Sequence, residues 1–215
     1  MSIFPMSGIR PFLIAIGLLI SFVVPVNSQC IQPDVKNALS SHLGRIGYSN
    51  DQADDVEIKY LTTSSHGKKA IQWVSASWMG PFDGALLAFD CQGRFIDIKR
   101  VGCVTKISVF DKNNSIKTAA QVETDTPAGT GTSSSAFGIY DIQNNKIHEI
   151  WSHTTEEHVY IMTDEMKAVY NFDFDSTGNT INVHGITREI INSKVKTTKS
   201  EKSYCWNGSV YTRCK

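Results

Sequence analysis

The sequence predicts a mainly β protein: antiparallel hairpins and meanders gathered into a sandwich- or barrel-like sheet assembly, with one short N-terminal α-helix. Three observations carry this expectation. Past about residue 57, runs rich in β-branched and aromatic residues recur roughly every eight to twelve positions, with turn residues between them. Apolar residues at helical spacing occur in one place, close to the N-terminus of the mature chain. No coiled-coil, low-complexity or membrane-spanning tract follows the first thirty residues.

The chain opens with a leader. Arg10 is the only charge before Cys30, an apolar run extends from Pro11 to about Val26, and Val26-Asn27-Ser28 precedes Gln29. A basic start, an apolar middle and small residues before a cut predict a signal peptide over 1–28. The apolar run falls short of the roughly 20 residues of a membrane span, so no span is expected after cleavage. The mature chain, 29–215, is expected to form one β-rich domain that is secreted or periplasmic, and its size allows a core without metal or disulfide.

"PDVKNALSSHLGRIG" predicts the helix. Pro33 and Asp34 suit its start, Val35, Ala38, Leu39, Leu43 and Ile46 share a face, and Gly44 or Gly47 can stop it. His42 lies on that face and reads as a partly buried helix residue.

Hairpins follow. "EIKYLTT" and "KAIQWVSASW" flank Ser-Ser-His-Gly, "GALLAFDC" and "RFIDIKRV" flank Gln-Gly, and "AFGIYDI" and "KIHEIWS" flank Gln-Asn-Asn. "CVTKISVFD" and "SIKTAAQVET" add two strands, and "HVYIMTDE", "KAVYNFDFD" and "NTINVHGITREI" add three more. "DTPAGTGTSSSA" reads as a small-residue loop. "NSKVKTTKSEK", with four lysines and no aromatic, reads as a solvated edge or linker. "LLAFDCQGRFIDI" and "VYNFDFDSTGNTINV" repeat one idea: an apolar strand, Phe-Asp, a glycine turn and a second strand.

Twenty-one basic residues balance twenty-one acidic ones. No global field therefore draws in nucleic acid, which is not expected as a partner. An exported chain with five cysteines is allowed disulfides. Cys205 with Cys214 is the best single pairing, and Cys30 is expected to join Cys91 or Cys103. A bridge between Cys91 and Cys103 would require a bend, because they sit at opposite ends of a hairpin.

Two stretches concentrate possible ligands. In "HEIWSHTTEEH", a hairpin with Thr154 to Glu157 as its loop would oppose His153 and His158. Glu156 or Glu157 would then add an oxygen, a set that suits zinc. The plainer reading is a solvent-facing hairpin tip. In "DFDSTGNT", Asp173, Asp175 and Thr177 fall at positions one, three and five of a calcium loop, but position twelve is His184 where a glutamate belongs. There the plainer reading is turn chemistry, and no cofactor is predicted. Trp78 and Trp206 are the aromatics expected to contact a partner. The sequence lacks a nucleophile elbow, a phosphate loop and a local Cys-His signature. The leading expectation is a non-enzymatic binding module for a protein or glycan. A metal-binding protein or metal-dependent hydrolase using 148–158 is the alternative.

Overall fold

The computed structural model describes residues 30–46, 57–66, 69–78, 83–113, 116, 118–126, 131–161 and 164–215. The segment expected to be a signal peptide, 1–28, lies outside the described residues. The chain forms a sandwich-like assembly of two antiparallel sheets with one short helix, as the repeated hairpins require. One sheet has the order β1-β2-β3-β4, from Glu57–His66, Lys69–Trp78, Asp83–Asp90 and Phe95–Arg100. The other runs β12-β11-β10-β9-β8-β7-β6-β5. Its strands are β5 Cys103–Val109, β6 Ala120–Thr126, β7 Thr132–Gln143, β8 Lys146–Ile161, β9 Asp164–Phe174, β10 Thr180–Ile191, β11 Lys194–Trp206 and β12 Tyr211–Arg213. The end strands of neither sheet pair with each other, so the barrel form of the expectation does not hold.

The helix, α1, spans Val35–His42. Asp34 caps it by accepting the Asn37 N–H at 3.1 Å. The 3₁₀ turn Leu43–Ile46 continues it. Val35, Ala38, Leu39 and Leu43 bury against Val74, Leu87, Phe89 and Ile98 of the small sheet. Full burial of Leu39 and Leu43 contributes about 1.5–3 kcal/mol each. His42 is partly buried, as the helical spacing implies, with its ring stacked on Phe95 at 4.0 Å. Asp97 fastens three elements together. Its carboxylate takes Arg45 Nη2 at 3.0 Å and the Ile147 N–H at 2.9 Å.

Strands β2 and β3 of the smaller sheet are covered on both faces, which explains the unbroken burial of β3 from Asp83 to Phe89. Val74, Ala76, Ala85 and Leu87 face the helix, whereas Ile71, Trp73, Leu86 and Ala88 meet Val104, Ile107, Val122, Tyr140 and Ile147 of β5–β8. Strands β5–β8 are covered on both sides in turn. Phe137, Ile139, Ile150 and Trp151 pack away from the small sheet into a third cluster with Ile181, Val183 and Tyr211. The stack therefore runs helix, small sheet, β5–β8, β9–β12.

The larger sheet folds back on itself between β8 and β9. These strands pair only from Glu156↔Val169 to Ile161↔Asp164. Beyond Val169, β9 parts from β8, and its aromatics meet the opposite half-sheet face to face. Phe172 lies 4.6 Å from Phe137 and 5.5 Å from Trp151, between ring centroids. A bulge in the β7–β8 pairing between Ser135 and Ala136 marks the fold line. Two-residue loops at Asn144–Asn145 and Asn192–Ser193 close hairpins with both residues at positive φ, the geometry that matches strand twist.

Three expectations about extent change. "HEIWSHTTEEH" lies within one strand, and Thr154–Glu157 is not a loop. Thr154 pairs with Ala136 and Glu157 with Ser134, and no glycine, proline or asparagine is present to turn the chain. Thr132 to Ala136 of the expected loop lie in β7, while 127–130 are outside the described residues. For the lysine-rich stretch the solvated-edge reading holds and the linker reading does not: it forms most of β11, a long exposed strand.

Candidate functional site

Where β9 leaves β8, an open groove of about 620 Å³ forms between the half-sheets. Gln121, Glu123 and Asp125 of β6 and Ser135 of β7 line it on one side. Tyr170, Asn171, Phe172 and Phe174 of β9 line it on the other, with Phe137 between. Local sequence sets this up. Tyr170, Phe172 and Phe174 alternate along a strand, so all three project to one side. All three are half-buried, leaving ring surface open. Gly185, paired with Tyr170 across β10, makes room for that ring, since a Cβ there would fall 2.7 Å from it.

The groove's electrostatics are acidic but partly compensated. Glu123 meets Lys106 at 3.0 Å and Glu156 meets Lys167 at 2.7 Å. The hydrogen bond from Lys167 holds the Glu156 carboxyl below the ordinary carboxylate value, and the same contact raises the Lys167 ammonium. Asp125 is exposed.

The residues singled out from sequence separate into several environments. His153 and His158 sit five apart on one strand and pair with Phe137 and Ser133, so they are not opposed. The His153 ring stacks on Trp151 at 5.9 Å and meets the edge of Tyr170 at 4.9 Å. His158 bonds Glu165 at 2.7 Å. Glu156 is engaged by Lys167, and Glu157 pairs with Ala168 in the ladder. Without the loop, the proposed zinc set has no common centre. Among the described residues, no group of three or more His, Cys, Asp or Glu is placed to hold a metal ion.

Asp173 and Asp175 also part company. Asp173 is exposed on β9 beside Asn182 and His184. Asp175 caps the turn, its Oδ1 accepting the N–H groups of Thr177 and Asn179 and the Thr177 hydroxyl. The calcium-loop reading therefore gives way to turn chemistry. The same device appears at Asp90, whose Oδ1 accepts the N–H groups of Gln92 and Arg94. Gly93 at φ +75° and Gly178 at φ +68° complete the two turns. The repeat visible in the sequence is thus a repeat of turn geometry. At both aspartates burial alone would raise the carboxyl, but the hydrogen bonds outweigh it and hold each below 3.8.

Cys205–Cys214 is formed, with Cα atoms 5.1 Å apart. The loop Asn207–Val210 is two residues longer than the tightest turn, which brings Trp206 opposite Tyr211 and Cys205 opposite Thr212. Cys30 joins Cys91, and Cys103 is a buried free thiol. Cys91 lies in the turn instead of ending β3, since Asp90 N–H bonds the Arg94 carbonyl. Trp206 packs on Tyr211 at 5.1 Å and is half-buried, so it supports the third cluster. Trp78 ends β2 opposite Asp83, and its side chain lies outside the described residues.

Sequence reasoning missed the groove residues. The available signal was the alternation of Tyr170, Phe172 and Phe174, whose rings would share one face of a strand. Comparison of the chain with family models, curated proteins and solved structures returns no match. No helix among the described residues is long and apolar enough to cross a membrane.

Proposed function

We propose that this chain is an exported binding module that takes an oligosaccharide in the groove between its half-sheets. One observation carries the reading: half-buried Tyr170, Phe172 and Phe174 stand across an open cleft from Gln121, Glu123 and Asp125. A sugar ring presents C–H groups on its faces and hydroxyls around its rim. Aromatic surface packs against the faces, and amides and carboxylates exchange hydrogen bonds with the rim. The volume, about 620 Å³, lies within the range of small-ligand sites. Carboxylates along the cleft repel phosphate, which argues against nucleic acid. Two disulfides suit an oxidising compartment outside the cytosol, in keeping with the leader.

The test is a screen of soluble oligosaccharides on the full mature chain, followed by calorimetric titration of the best ligand. Asp125→Ala and Gln121→Ala remove polar groups that line the cleft and spare the core. Each is expected to weaken binding about tenfold, the equivalent of one lost hydrogen bond of roughly 1.4 kcal/mol. Binding that survives both substitutions unchanged, or no binding at millimolar oligosaccharide, would refute the proposal.

A further inference from the structure

A second surface lies outside the groove, on the outer edge of the larger sheet. Residues Lys194 to Lys202 of β11 are all exposed, and no described strand pairs with their outer side. At roughly 3.3 Å per residue this open edge extends about 30 Å, well beyond an ordinary strand of five or six residues. Every second residue along it turns its N–H and C=O outward. Those groups can receive another strand, because β12 already pairs on the same side at Tyr204, Cys205 and Trp206.

The charge pattern limits what can be added. Four lysines stand against one glutamate in this stretch. The register with β10 puts Lys194, Lys196 and Lys202 on one face, opposite Ile191, Glu189 and Val183, and Lys199 on the other. Lys196 meets Glu189 at 3.8 Å, while Lys194, Lys199 and Lys202 form no ion pair among the described residues. A second copy of β11 would bring lysines against lysines, and that repulsion protects the edge from self-association. An acidic strand would meet the same pattern as attraction, so one device excludes self and selects a partner.

From this we infer that β11 receives an extended acidic peptide segment as an added strand, with acidic side chains at alternate positions beside Lys194, Lys196 and Lys202. Main-chain bonds supply affinity, and the lysine face supplies selectivity.

The probe is a fluorescent nine-residue peptide alternating glutamate and threonine, titrated into the full mature chain at low salt by anisotropy. Saturable binding is expected. It should weaken at least tenfold for Lys194→Glu/Lys202→Glu, with folding verified by circular dichroism. It should weaken as much for wild-type protein when alternate peptide amides are N-methylated, an arm that needs no protein variant. Equal binding of the N-methylated peptide, or full displacement by a short heparin fragment that itself binds more tightly, would show a polyanion site and overturn the inference. Concentration-dependent dimers in sedimentation without peptide would give the edge to a second copy and overturn it as well.

Discussion

Replacing Gly178 with alanine tests how the β9–β10 turn is held against the rest of the molecule. Gly178 has φ +68°, and a Cβ there would lie 2.0 Å from the Lys112 carbonyl oxygen and 2.8 Å from the Asn113 nitrogen. Both obstacles are backbone, so no side-chain rotation relieves them. The Gly178 carbonyl accepts two buried hydrogen bonds, from Asn113 Nδ2 at 3.1 Å and from the Tyr211 hydroxyl. Left-handed backbone costs an alanine about 1–2 kcal/mol, and displacing the turn forfeits about 1 kcal/mol for each bond. The expected loss is about 3–4 kcal/mol. With a urea dependence of about 2 kcal/mol per molar, the midpoint should fall by about 1.5–2 M. Gly208→Ala is the control: φ is +98°, but nothing lies within 4 Å of the added carbon. It should cost only the backbone strain, about 1–2 kcal/mol. Equal shifts for the two variants would refute the claim that close packing at Lys112 and Asn113 fixes this turn.

Two further outcomes follow from the cross-links and the capped turns. Cys30 and Cys91 are 61 residues apart, so Cys30→Ser/Cys91→Ser should cost about 4 kcal/mol by loop entropy. The pair nine residues apart, Cys205 and Cys214, should cost about 2.5 kcal/mol, and urea midpoints would show whether the order is reversed. The depressed carboxyls of Asp90 and Asp175 contribute stability that is present above their unfolded value of about 3.8 and is lost as pH falls through the folded values. Asp90→Asn/Asp175→Asn keeps an acceptor but removes the titration, so it should flatten the fall in urea midpoint below about pH 4. An unchanged acid slope would count against the capping role.

The legible parts of the fold were those with local chemistry. Asp34 and the apolar spacing after it specify the helix, Asn144–Asn145 specifies a hairpin loop, and the Phe-Asp repeat specifies two matching turns. Around Thr154 to Glu157 the clustered histidines and glutamates suggest a ligand-bearing loop, but a threonine pair without a turn former favours the strand that forms. Lys194 to Lys202 carries no apolar alternation because both of its faces are wet, so its lysines alone supported the edge-strand reading and left a linker open beside it. The groove depends on where β9 parts from β8, and that position is set by packing between Phe172, Phe137 and Trp151, far apart in sequence. No window of residues contains it.

The doubly covered half-sheet leaves the molecule little tolerance for alignment errors. Along β7, Ile139 belongs to one core and its neighbour Tyr140 to the other. A slip of one residue would present each to the wrong side, with the Tyr140 hydroxyl losing Glu149 and a bulky ring forced into space shaped for an aliphatic chain. Both cores would fail together, so assembly of this central wall is an all-or-nothing event in which neighbouring layers proofread each other.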